Sequence, residues 1–421
     1  MATPNKPATR RRLLAALSAL ALVVAGCGSS EDEGGPVTLT VSVWNLAGTP
    51  EFKALFDAFE RANPDVDVQP VDILADDYPQ KVTTMLAGGD KTDVITMKNV
   101  TDYARYAGRG QLADVTDLAR AAKDLSGLDA FDVKGSYFAL PYRNDFWVLY
   151  YNKKLFAEAG IGAPEALTWD KYAEIARKLT RERDGKKVYG AYHHTWRSVV
   201  HAIAAAQTGG HQITGDYTFF ADQYRTALGL QDAGAALDFA TASTQQSSYR
   251  TMFESESAAM VPMGTWYVAG VLAARAKGDT AVDWGVAPMP QRPGATGVTT
   301  FGSPTAFAVN KNAKHPNAAR KFVEFAAGAE GAKAITAVGV VPALRGKDIT
   351  EQYLALPGMP TDELTRKAFA PDKIALEMPV DEHTSDVDTI LREEHQLIMV
   401  GDKSVEDGIR SMRDRVADVV D

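Results

Sequence analysis

The sequence predicts an α/β fold in two lobes, on three observations. Strand and helix patterns alternate through the early part of the chain, which argues for a mostly parallel sheet. The chain has 421 residues, whereas a single core stops growing at about 250–300, so two lobes are the default. It has one cysteine, so no disulfide can form within the chain and the fold must rest on its packing.

The elements follow in order. Val37, Leu39, Val41 and Val43 alternate with Thr38, Thr40 and Ser42, the period of a strand. Trp44 and Asn45 end it. Thr49 and Pro50 read as N-cap and first helical residue, with Phe52, Leu55, Phe56 and Phe59 at helical spacing before Asn63-Pro64. A second strand is expected at residues 66–68, a helix around Val82 and Leu86, and a third strand at residues 93–95. In such sheets ligands lie outside the carboxyl ends of the strands, which points at Trp44, Asn45, Asp77, Tyr78, Lys98 and Asn99. For Trp44 the competing reading is a core wedge. Near the end of the chain Val387, Ile390, Leu391, Leu397 and Ile398, then Val405, Ile409, Met412, Val416 and Val419, keep helical spacing on either side of Gly401.

Ahead of this body, Lys6, Arg10, Arg11 and Arg12 precede an apolar run over residues 13–25. A membrane span needs about 20 residues, while about 7–15 followed by small residues is the pattern of a removable export signal. Val24-Ala25-Gly26-Cys27 looks like the lipobox of bacterial lipoproteins. That resemblance implies removal of residues 1–26 and a diacylated Cys27, anchoring the chain on the extracytoplasmic face of the cell membrane. A plain signal peptide with an incidental cysteine is the alternative. Thr9-Arg10-Arg11 with Leu13-Leu14 also resembles a twin-arginine signal, so both export routes stay open. Removing residues 1–26 takes away four positive charges and no negative one, so the formal balance moves from −9 to −13. An acidic body without a basic stripe argues against nucleic acid as a partner. Residues 27–36, rich in Gly, Ser, Glu and Asp, read as a flexible tether.

The middle of the chain holds the most specific pattern. Gly135-Ser136-Tyr137-Phe138-Ala139-Leu140-Pro141-Tyr142 leads into Asn144-Asp145-Phe146-Trp147-Val148-Leu149-Tyr150-Tyr151-Asn152, with a capped helix from Thr168-Trp169. Phe253-Glu254, Gly264-Thr265-Trp266, Trp284-Gly285-Val286-Ala287-Pro288, Phe301-Gly302 and Asn310-Lys311 follow in order. Together they resemble the family-1 extracellular solute-binding proteins of ABC importers. The resemblance implies a two-lobed, type II periplasmic-binding-protein clamp with its ligand cleft between the lobes. The expected boundaries are 37–145 plus 289–337 for the first lobe and 146–288 plus 338–421 for the second. Crossovers are expected near residues 144–148 and 286–288. It also implies a monomer that captures a sugar by cleft closure and delivers it to the permease subunits, with no catalysis and no cofactor.

A sugar presents flat C–H faces and hydroxyl rims, so its receptor needs aromatic planes and fixed polar groups. Asp145 matches the family's acidic residue and is expected to accept from two hydroxyls, against the reading of a hinge salt bridge with Arg143. Trp266 falls on the family's stacking tryptophan, against ordinary core packing. Asn144, Phe301 and Gly302 complete the expected ligand-binding set on the hinge side. His194 and Trp196 are expected to line the second lobe's side of the cleft. The adjacent His193 and His194 face opposite ways on a strand and lack zinc-site spacing, so no metal is expected. Glu393, Glu394 and His395 read as a solvated helix face. A P-loop, a nucleotide fingerprint, a Gly-x-Ser-x-Gly elbow and a His-Glu-x-x-His helix are all missing. Two alternatives remain. One is a binding protein for a polyol phosphate or quaternary amine, using Lys98, Arg143 or Arg345 or an aromatic cage. The other is a secreted glycan-acting enzyme, which needs two carboxylates about 5–10 Å apart.

Overall fold

The computed structural model describes residues 35–183 and 185–420. The export segment, Cys27 and the tether through residue 34 lie outside the described residues.

The first strand, Val37–Trp44, forms where the alternation predicts it. It pairs in parallel with Val66–Ile73 on one side and Val94–Met97 on the other. Helices Pro50–Ala62 and Tyr78–Ala87 lie between these strands in the chain. The first helix buries Phe52, Leu55, Phe56 and Phe59 as its spacing requires. Thr49 precedes it without capping it; its hydroxyl donates to the carbonyls of Trp44 and Asn45, both at 3.0 Å, and closes the turn after the strand. The second strand runs past Val68 and Pro70 to Ile73. It is an edge strand, where a missing N–H is tolerated.

Two hydrophobic cores result. The first gathers Leu39, Val41, Phe59, Ile95, Phe307 and Phe322, and the second Trp147, Tyr172, Ile203, Phe253, Trp284 and Leu391. Their strands nevertheless share one eight-stranded sheet. Its path runs Trp284–Ala287, Leu140–Asn152, Thr299–Val309, Val94–Met97, Val37–Trp44, Val66–Ile73. Met260–Gly264 adds to Leu140–Asn152, and Lys373–Leu376 to Thr299–Val309.

Two long antiparallel strands carry the chain between the cores. Leu140 and Tyr142 pack in the first core and Phe146 onward in the second. On the way back Phe301 is still in the second core and Ala306 is in the first, with a register shift between Thr305 and Ala306 at the passage. The return therefore runs through residues 302–305, later than the expected 286–288. The reason is that Trp284–Ala287 pairs with residues 149–152 at the second-core end of the long strand, which keeps Met289 in that core as well. A third passage separates Val340, in the first core, from Tyr353, in the second.

The chain closes with helices Thr384–Met399 and Val405–Val420 around Gly401, whose φ of 84° needs a glycine. The expectation of a solvated face at residues 393–395 fails for two of the three. Glu394 is buried and ion-paired with Lys403 at 2.6 Å and Arg415 at 2.8 Å. His395 is buried against Tyr224, whose hydroxyl lies 3.1 Å from its Nδ1 and 2.6 Å from Nε2 of His201. Partners distant in sequence satisfy these polar groups, and helical spacing alone does not reveal them.

Burial holds His201 well below its usual range, His395 down to about 3, and His193 and His194 down to about 4. These imidazoles are neutral in the fold, and in the unfolded chain each takes up a proton below about pH 6.5. Their contribution to stability is present above that pH and is lost as pH falls toward about 4. Thermal unfolding should move to lower temperature steadily across this window. His395→Gln should flatten the slope; a slope left unchanged would mean that other groups set it.

Candidate functional site

At the carboxyl ends of the parallel strands, the first lobe assembles a polar face around one indole. Trp44 meets Phe52 and Tyr78 edge-on, with ring centroids at 5.0 and 5.3 Å. Lys98 Nζ lies 5.5 Å and the Arg143 guanidinium carbon 5.6 Å from its ring centroid, within cation–π reach. Beside it, Asn45 adopts a left-handed backbone (φ 43°) and accepts at Oδ1 from the Ala75 N–H at 3.1 Å. Lys98 donates to the Ala75 carbonyl at 2.7 Å. The turn at residues 74–77 is thereby tied to the ends of two strands, and it leaves Asp76 and Asp77 exposed. Burial draws the Lys98 ammonium down to about 8, with the Asp76 carboxylate opposing.

The hinge strand carries a buried ion network. Arg143 donates to Glu51 Oε1 at 2.5 Å and to Thr305 Oγ1 at 3.1 Å, and its Nε lies 3.2 Å from Asp145 Oδ2. The other Asp145 oxygen accepts from Thr265 Oγ1 at 2.7 Å. Burial lifts the carboxyls of Glu51 and Asp145, and Arg143 opposes the shift in both. On Arg143 itself burial pulls down, but Tyr142, Asp145 and Glu51 outweigh it and hold the guanidinium charged.

Facing this, the second lobe presents a wall of aromatic rings. Trp196 lies 4.5 Å from His194, 6.1 Å from Tyr249, 6.2 Å from Trp266 and 6.5 Å from Trp147, centroid to centroid. Trp147 in turn meets Trp266 at 5.9 Å and stacks on Phe301 at 4.9 Å. Trp196 is 41% exposed and Trp266 half-buried, so these two indoles present ring surface to the outside. His194 is kept neutral by burial, against the pull of Asp76 from the first lobe. The Arg250 guanidinium of the second lobe lies within electrostatic reach of Glu51 in the first, so the two lobes approach each other here.

The thirteen candidates divide cleanly. Asn45, Asp77, Lys98, Asn99, His194, Trp196 and Trp266 are at least partly open, and Trp44 shows only an edge at 7% exposure. The other five are built into the frame. Tyr78 is buried, its hydroxyl 2.7 Å from Ser42 Oγ and donating to the Thr96 carbonyl at 2.8 Å. Asn144 donates to Ser126 Oγ at 2.7 Å. Phe301 is fully buried under Trp147. Gly302 lets two strands close up, since a Cβ there would lie 2.1 Å from the Asp145 carbonyl oxygen. Asp145 is 2% exposed; one oxygen accepts from Thr265 Oγ1, and the other lies 3.2 Å from Arg143 Nε without a hydrogen-bond partner, so the hinge salt bridge is present and one acceptor oxygen stays unfilled.

The residue types alone did not point to Glu51, Asp76, Tyr249, Arg250 or Thr265. Glu51 reads as an ordinary acid in a helix's first turn. The available signal was Arg143, a charge inside an otherwise apolar strand that demands a carboxylate partner.

Two cores joined by three chain passages, with polar and aromatic faces near the hinge, define a two-lobed α/β architecture. Residues 44–333 match the family model for bacterial extracellular solute-binding protein, and the chain belongs to that family. A crystal structure of a sugar transporter from Rhizobium etli, in an open conformation, is 35% identical, with a TM-score of 0.77 over 90% of this chain and 99% of that one. An ABC substrate-binding protein from Listeria monocytogenes, in complex with cycloalternan, superposes with a TM-score of 0.78 at 24% identity, over 91% of this chain and 98% of that one. Among curated relatives, a mannitol-binding protein from Pseudomonas aeruginosa is 31% identical over 157 residues, a match spanning 36% of each chain.

Glu51→Ala leaves Arg143 buried with one carboxylate in place of two. Asp145 still balances the charge, so the cost should be that of an unsatisfied buried donor, roughly 1–3 kcal/mol. Denaturant unfolding measures it, and a loss below about 1 kcal/mol would show that the guanidinium does not depend on Glu51.

Proposed function

We propose that this protein is the extracytoplasmic binding component of an ABC importer and captures a neutral sugar or sugar alcohol by closing its two lobes. The observation that carries this reading is the pair of open indoles, Trp196 and Trp266, set in a wall of rings opposite the polar face of Asn45, Asp76, Asp77 and Lys98. Such a surface suits a ligand with apolar C–H faces and a hydroxyl rim. The names of the Rhizobium and Pseudomonas relatives support it. In the closed form the ligand touches both lobes, so binding shifts the open–closed equilibrium toward closed, the shape that the permease reads.

Charge balance favours a neutral ligand over a polyol phosphate. Arg143 is already matched by Glu51 and Asp145, and Asp76 offsets Lys98. The aromatic side chains favour a stacking surface over a cage for a quaternary amine, because Trp196 meets His194, Tyr249 and Trp266 edge-on or tilted at 4.5–6.2 Å. A glycan-acting enzyme is disfavoured as well, since the buried acids of the hinge are tied to Arg143 and Thr265.

A thermal-shift panel of D-mannitol, maltose, polyol phosphates and quaternary amines tests the ligand class. A sugar or polyol should raise the midpoint and the charged compounds should not. Trp266→Ala should weaken the bound compound more than tenfold in calorimetry, a loss of at least about 1.4 kcal/mol. Parent-like affinity in that variant would remove Trp266 from the site.

We also propose that Cys27 carries the lipid that holds the protein at the membrane, with residues 28–36 as tether. The lipobox-like Val24-Ala25-Gly26-Cys27 supports this. Cys27→Ala should move the protein from the detergent phase to the aqueous phase without changing ligand affinity. Retention in the detergent phase would rule out this anchor.

A further inference from the structure

The strand Met260–Gly264 ends at a position that has no side chain, and the next residue but one is Trp266. A Cβ placed on Gly264 would lie 1.9 Å from Trp266 Cζ3 and 2.2 Å from Cε3 and Cη2. Those distances are far inside van der Waals contact, so the indole lies directly against the Gly264 backbone. The glycine is not needed for its conformational freedom, because Gly264 is absent from the positive-φ positions among the described residues. An L-residue would suit this backbone; the three nearest atoms that a Cβ would meet all belong to the ring.

The backbone on either side of the contact is held in place. The Gly264 carbonyl accepts from the Tyr150 hydroxyl at 3.0 Å, and Gly264 sits opposite Trp147 in the antiparallel ladder. Thr265 is fixed by its N–H to the Phe146 carbonyl at 2.9 Å and by its hydroxyl to Asp145 at 2.7 Å. Trp266 itself has helical backbone angles and opens the helix Tyr267–Lys277. Its ring is bordered by Trp147 and Trp196 at centroid distances of 5.9 and 6.2 Å.

We infer that Gly264 is a positioning residue: its bare backbone is the shelf on which the Trp266 indole lies, and it sets the height and tilt of that plane. Its meaning for ligand capture rests on the role proposed above for Trp266, while the positioning itself is tested on ligand-free protein. Protein labelled with 5-fluorotryptophan gives one fluorine resonance for each of the six tryptophans, and Trp266→Phe assigns the one that matters. Gly264→Ala should move the Trp266 resonance and leave those of Trp44 and Trp169 in place. It should also lower the thermal midpoint in the parent, and do so far less in a Trp266→Ala background, where the methyl group has space. That background keeps the test usable if Gly264→Ala alone does not fold. A Trp266 resonance that stays put would overturn the inference. So would an equal loss of stability, or failure to fold, in both backgrounds, because the methyl would then be clashing with something other than the indole. If the resonance moves but the affinity measured on the panel does not, the positioning stands and the ligand role of Trp266 falls.

Discussion

A single buried guanidinium sets the geometry on which the rest of the clamp depends. Arg143 lies in the strand that passes from one core to the other, and a charge there is tolerable only if it is matched and fully hydrogen-bonded. Its partners come from three directions: Glu51 from the first helix, Thr305 from the antiparallel strand and Asp145 from two residues further along its own strand. Losing either carboxylate removes an ion pair and losing Thr305 leaves a buried donor without its acceptor, so the helix, both crossing strands and the indole of Trp44 are held in one arrangement. The chain of contacts continues outward. Asp145 takes the Thr265 hydroxyl, and Thr265 is the neighbour of Trp266, so the ion network of the hinge reaches the Trp266 indole of the second lobe through two hydrogen-bonded residues.

Much of the fold was legible because it follows from periodicity. The alternation from Val37 to Val43, the phenylalanines at helical spacing after Pro50 and the paired helices around Gly401 all report one face packed on a core, and local spacing encodes that directly. The ordered motifs from Gly135 to Lys311 indicated the clamp. What the spacing could not show was which polar side chains would be turned inward. Tyr78 opens a helix beyond the strand ends and Asn144 lies in the strand that crosses between the lobes, both places where a cleft residue is expected, yet Ser42, Thr96 and Ser126 satisfy them inside the frame. Glu51 and His395 look solvated in sequence because their partners, Arg143 and Tyr224, lie far along the chain. The open aromatic residues had separate signals: Trp196 follows the polar His193-His194-Thr195, and Trp266 stands where the family resemblance has its tryptophan.

The sheet order also has a consequence for how the molecule is made. Thr299–Val309 lies in the middle of the sheet, between Leu140–Asn152 and Val94–Met97, although it is one of the last strands in sequence. Until it is synthesised, the early strands have no central neighbour, and the first core also lacks Phe307, Phe322 and Val340. Contacts between such distant segments form slowly because their loops must close first. A growing chain therefore stays open across its nascent sheet until most of its length exists. Neither core is complete, and the second crossing strand between them is missing, until Thr299–Val309 exists.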